Sequence, residues 1–125
     1  MIRNNRAVPV YTTSGMLGAL MKYPYLFNPQ GEWIGWVTSS RQVYSVHGHY
    51  VGWLSKDPRV LRKRNIDHSQ PARKPPQPPA HLRPPVTVPL PPLMPELPFN
   101  QVDVLDDEPS RLPTLDAGEL REDMD

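Results

Sequence analysis

Apolar and polar positions alternate in short bursts through the first half of the chain and lose that pattern beyond Ile66. The bursts repeat. Leu26-Phe27-Asn28-Pro29-Gln30-Gly31-Glu32-Trp33-Ile34-Gly35-Trp36-Val37 aligns without gaps on Val43-Tyr44-Ser45-Val46-His47-Gly48-His49-Tyr50-Val51-Gly52-Trp53-Leu54. The shared pattern is aliphatic, aromatic, small polar, two variable, Gly, variable, aromatic, β-branched, Gly, Trp, aliphatic. A weaker copy precedes it: Val10 to Gly15 match the first half, and Leu17-Gly18-Ala19-Leu20 match the second if one residue is deleted. A degenerate fourth copy starts at Val60-Leu61, with Asn65 where the turn glycine would stand. The starts fall at 10, 26, 43 and 60, spacings of 16, 17 and 17. A period of this size marks stacked supersecondary units.

Each unit reads as a β-hairpin: a short strand, a turn ending in Gly, and an alternating return strand. Glycine takes φ > 0 without steric cost, which suits the turn. Period-2 alternation puts Trp33, Gly35 and Val37 on one face of the return strand and Ile34 and Trp36 on the other. A glycine inside a strand marks a close approach to the backbone, and an aromatic ring stacked over Gly35 and Gly52 is the expected neighbour. A lone hairpin is marginal in water, so the units must bury their faces on one another.

The residues Phe27…Gly31-Glu32-Trp33-Ile34-Gly35-Trp36-Val37 and Tyr44…Gly48-His49-Tyr50-Val51-Gly52-Trp53-Leu54 resemble the units of the small bacterial 4-fold β-flower proteins. The resemblance implies short hairpins around a pseudo-fourfold axis, followed by a proline-rich, basic tail. It implies no particular activity. The first unit departs from the pattern in lacking Trp at Ala19, and the fourth in lacking a Gly-Trp step. A small barrel of the PRC type, which uses similar Gly-x-x-aliphatic-Gly strands, is the alternative fold.

Composition divides the chain. All three Trp and all five Tyr lie before residue 55, so only that half carries the large aromatics that build a core. Twelve of the 18 prolines lie between Pro71 and Pro98. Proline fixes φ and lacks an N–H, so this stretch favours extended polyproline II. The expected fold is mainly β, with tandem hairpins over residues 1–70, a proline-rich linker over 71–98 and an acidic disordered tail over 99–125. Removing residues 71–125 is expected to leave the hairpins folded. The small core and the absence of Cys favour self-association as a homo-oligomer.

The net charge of +1 hides a polarity. Up to Pro85 twelve basic residues face three acidic ones, and from Val86 onward two basic residues face ten acidic ones. A basic domain with an acidic tail suits a tail that lies on the domain and competes with polyanions. No stretch has the length or apolarity of a signal h-region or a membrane span, so a cytoplasmic location and no membrane contact are expected.

The candidate sites follow from these features. Trp33, Trp36, Tyr50 and Trp53 would serve as an aromatic platform, although residues at strand spacing are more often core. Arg62, Lys63 and Arg64, with Arg59 nearby, form a basic stretch suited to phosphates, or to guarding a strand edge. Arg73, Pro76 and Pro79 match a basic-x-x-Pro-x-x-Pro ligand pattern. His47 and His49 occupy variable turn positions, with His68 and His81 remote, so no metal and no cofactor are expected. No serine carries a nucleophile motif, and the carboxylates cluster in the tail. The chain reads as a non-catalytic interaction or scaffold module for an unidentified protein partner. A nucleic-acid-binding domain with an acidic internal competitor is the alternative.

Overall fold

A computed structural model describes residues 7–65 and 71–115. Eight strands follow in order: β1 (Val8–Tyr11), β2 (Leu17–Lys22), β3 (Tyr25–Phe27), β4 (Trp33–Val37), β5 (Gln42–Ser45), β6 (Tyr50–Leu54), β7 (Val60–Lys63) and β8 (Gln101–Asp103). A single helical turn, α1 (Val104–Asp107), and a 3₁₀ turn at Pro109–Arg111 complete the chain as described. Every strand pairs antiparallel with its sequence neighbour, giving one curled eight-stranded sheet in the order β1 to β8. The fold is mainly β and built of hairpins, as the repeat predicts.

The turns explain the small polar residue of the repeat. Thr12, Asn28 and Ser45 each accept a backbone hydrogen bond from the turn glycine three residues on, from Gly15, Gly31 and Gly48. Their side-chain oxygens also accept from the N–H four residues on, of Met16, Glu32 and His49. The three glycines have φ of 90°, 91° and 89°, the left-handed region that only glycine enters cheaply. Thr38 and Ser55 build the links between hairpins in the same way, accepting from Gln42 N and Arg59 N.

The registers correct the alignment of the first unit. Val10 pairs with Ala19 as Leu26 pairs with Gly35 and Val43 with Gly52. No residue is deleted, so Ala19 stands where the others have the strand glycine and Leu20 where they have Trp36. Strict alternation also fails. A register shift at Val10/Tyr11, Leu26/Phe27 and Val43/Tyr44 opposes two residues of each return strand to one of its partner. Such a bulge re-aims the side chains beyond it. Ile34 and Val37 therefore share the central core, as do Val51 and Leu54, while Trp33 turns to an outer cluster with Leu20, Phe27 and Val46.

The strand glycines do not lie under rings. A Cβ on Gly35 would collide with the Tyr44 carbonyl oxygen, and one on Gly52 with that of Leu61. What comes close is the backbone of the next strand.

Val10, Leu26, Val43 and Val60, one from each unit, are fully buried at the centre. The fourth unit is completed in an unexpected place. Its outgoing strand β7 pairs with β8, with Leu61 opposite Asp103 and Lys63 opposite Gln101. Residues 64–100 are thus the enlarged loop of the fourth hairpin. Part of the stretch expected as acidic tail packs here, since Val102, Val104 and Leu112 are buried with the core, while residues 116–125 lie outside the described residues. Val104 takes the position of Ile34 and Val51. Leu105 fills the space over Gly18, and Leu112 lies against Gly35. Polar partners accompany them: Asp103 Oδ2 accepts from Thr13 N at 2.6 Å and from Thr13 Oγ1 at 2.7 Å. These bonds and one from Tyr11 N to Pro58 O, 3.3 Å, link the first unit to the fourth.

Candidate interaction surface

The proline-rich stretch 71–98 contains no helix or strand, as its composition demands, but it does not hang free. Arg73 N donates to Gly48 O and Leu82 N to Gly31 O, both at 2.8 Å. The anchors are nine positions apart, three turns of polyproline II, so both N–H groups leave the same side of the strand. Between them Tyr25 Oη donates to Gln77 O at 3.0 Å. Further along, Tyr11 Oη donates to Pro89 O, and Arg59 Nη1 donates to Pro95 O at 3.1 Å. Arg64 Nε reaches Phe99 O at 2.8 Å. The strand passes the third, second, first and fourth units in turn and then enters β8.

Burial along this strap has a period of three. Pro76, Pro79 and Leu82 are half-buried, with Pro75 beside them off the register, as are Val88, Pro91, Met94 and Leu97, while every position between Val88 and Leu97 that lies off this register is exposed. That is the repeat of a polyproline II helix lying along a surface. A bend at Val86 separates the two arms. Under it the strap, Tyr23, Tyr25 and Phe27 enclose a cleft of about 930 Å³, with Lys22, His81 and Arg83 in its wall.

The sequence-derived sites fall unevenly on this arrangement. Trp33 and Trp36 are buried. Trp33 Nε1 donates to Gly35 O at 2.7 Å, and Trp36 stacks on Tyr44 with ring centroids 5.1 Å apart. Tyr50, half-buried, makes a T-shaped contact with Tyr44 at 5.6 Å, and burial followed by the Tyr44 charge raises its pKa. Trp53 is half-buried. Arg73 lies with its guanidinium 5.2 Å from the Tyr44 ring centroid, and Pro76 and Pro79 face the domain. The Arg73, Pro76, Pro79 pattern therefore sits on the chain's own aromatic surface.

The basic stretch is largely engaged as well. Arg62 forms a fork on Glu108, Nε to Oε1 at 2.7 Å and Nη2 to Oε2 at 2.8 Å. The Arg62 hydrogen bonds, helped by Arg111, hold the Glu108 carboxyl down at about 2, and Glu108 raises Arg62 in return. Arg59 is buried and bridges to Asp57 at 2.5 Å. Burial pushes Asp57 up, but hydrogen bonds from Arg59 and Ser55 outweigh it and leave this carboxyl below its ordinary value. Arg64 lies 4.9 Å from the Phe99 ring centroid, and Lys63 is exposed. His47 and His49 are exposed, 6.5 Å apart, and His68 lies outside the described residues. Among the described residues no three His, Asp or Glu side chains gather as a metal site would require, and no helix is long and apolar enough to cross a membrane.

Sequence reasoning missed the partners of the strap, the donors Tyr11 and Tyr25 and the acceptors Gly31 and Gly48. The prolines at 89, 92, 95 and 98, every third residue, were the available sign of an ordered strand.

Four hairpin units around one core, the last opened by a long proline-rich loop that encircles the others, define a belted fourfold β-hairpin protein. The family model for the 4-fold beta flower protein matches residues 8–111, and the chain belongs to that family. The match runs through the proline-rich loop to the 3₁₀ turn, which supports reading all of it as one unit. No curated protein and no solved structure matches the chain.

Proposed function

We propose that the chain is a non-catalytic interaction module of the cytoplasm, in which a β-flower domain holds its own proline-rich strand in order and presents it to a protein partner. The pair of anchors from Arg73 N to Gly48 O and Leu82 N to Gly31 O carries this reading. Ordering the strand in advance removes part of the entropy a partner would otherwise have to overcome. The tail shields as well as displays. Asp103 and Asp106 cover the first turn, and Glu108 neutralises Arg62 and Arg111. With Arg62 paired to Glu108 and Arg59 buried against Asp57, fewer cations face outward for phosphates than the residue count implies. Capture from native lysate, with and without nuclease, tests the reading. A protein partner retained after nuclease supports it. Nucleic acid released by nuclease or by moderate salt would replace it with a polyanion-binding domain, since phosphate contacts weaken steeply with salt.

A further inference from the structure

The three-residue period of the strap leaves one stripe uncovered except at its end, where the Arg64 guanidinium lies over Phe99. Val88, Pro91, Met94 and Leu97 face the domain. Pro89, Pro92, Pro95 and Pro98 form a second face, and Leu90, Leu93, Glu96 and Phe99 the third. Leu90 is 91% and Leu93 99% exposed, far beyond what apolar side chains beside a folded domain usually show. The stripe is held in place along its length, by Tyr11 at Pro89, Arg59 at Pro95 and Arg64 at Phe99. It is a ridge tied to the domain at three carbonyls, apolar at Leu90 and Leu93.

We propose that the ridge Pro89–Phe99 is a docking ligand for a partner protein with an aromatic-lined groove, one that reads polyproline II by packing rings along it and donating to the carbonyls that the domain leaves free. This rests on the module reading above and names the chemistry of its partner. Two observations choose that occupant. Strand addition is excluded, because five prolines between 89 and 98 remove the N–H groups a ladder needs. The inner face of the same strap shows what does recognise it: the Tyr25 and Tyr11 hydroxyls donate to strap carbonyls at Gln77 and Pro89. A groove of Tyr and Trp would treat the outer face in the same way, with Leu90 and Leu93 in the pockets between rings and a rim cation meeting Glu96. The inner pattern at Arg73, Pro76 and Pro79 is already occupied in cis, so the outer ridge is the one open to a partner.

Full-length protein is titrated against purified SH3, WW and EVH1 domains, the three groove types of this chemistry, at up to about 100 µM, near the weak end of specific recognition. Binding by at least one of them is expected. Leu90→Ser with Leu93→Ser should weaken it about tenfold or more, and Lys74→Ala on the inner arm should leave it within about twofold. Both leucines are solvent-exposed, so the double variant keeps the wild-type melting temperature. Absence of binding to all three, or binding indifferent to the leucines, overturns the proposal. Self-association abolished by the same double variant would assign the ridge to a second copy and overturn it equally. A lysate partner captured alike by wild type and the double variant would keep the module and discard the ridge.

Discussion

Trp36 is buried and stacked on Tyr44, so Trp36→Ala should cost about 3–5 kcal/mol in chemical denaturation. Trp53, only half-buried, should cost clearly less, although the repeat makes the two equivalent. Glu108 supplies a pH dependence. Its carboxyl is lowered in the folded state from the ordinary 4.5 to about 2 by Arg62 and Arg111. The stabilisation is then complete above the unfolded value and is lost as pH falls from about 4.5 towards about 2. Glu108→Gln should remove that part of the acid sensitivity, so wild type and variant converge in stability near pH 2 and separate at neutral pH. A gap that is the same at both ends would show that Glu108 does not titrate with folding.

At the level of the element, the hairpin turn and the strap are a single device. Gly48 is both the left-handed turn residue and the seat of the strap, since a Cβ there would collide with the Arg73 carbonyl oxygen. Gly48→Ala should destabilise the domain by about 1–3 kcal/mol through the backbone alone. It should also raise amide exchange at Arg73 and leave exchange at Leu82 nearly unchanged, because Leu82 is held by a different turn. Equal loss of protection at both anchors would mean that the strap binds as one rigid piece. The bulges at the head of each return strand work at this scale too. They send Ile34 and Val51 inward and give the central core one side chain per unit. In the first unit Gly18 holds that position, and Leu105 of α1 fills the gap.

For the molecule as a whole, the consequence is that the fold extends past the hairpins. A chain ending at residue 70 lacks β8, Val104, Leu112 and the carboxylate partner of the buried Arg62. It should lose cooperative unfolding and dispersed amide signals, while a chain of residues 1–115 retains both. Well-dispersed signals from residues 1–70 would show that three and a half units suffice. Three hairpins, their turn chemistry and the start of the fourth at Val60 were legible in the amino-acid order, because a turn is decided within five residues by a glycine and a side-chain oxygen. The aromatic positions were legible too, but not which face each would take, since a one-residue bulge is invisible in an alternating pattern. The return strand of the fourth hairpin could not be read locally. Gln101-Val102-Asp103 is three residues in an acidic, proline-flanked context, and it becomes a strand only because β7 offers an unpaired edge and the core has room for Val104. The repeat thus determined the unit and its period by itself. Where the chain closes, and that its proline-rich loop is a belt bearing an outward ridge, was decided by contacts between residues far apart in sequence; the prolines at 89, 92, 95 and 98 marked an ordered strand but not the surface it lies on.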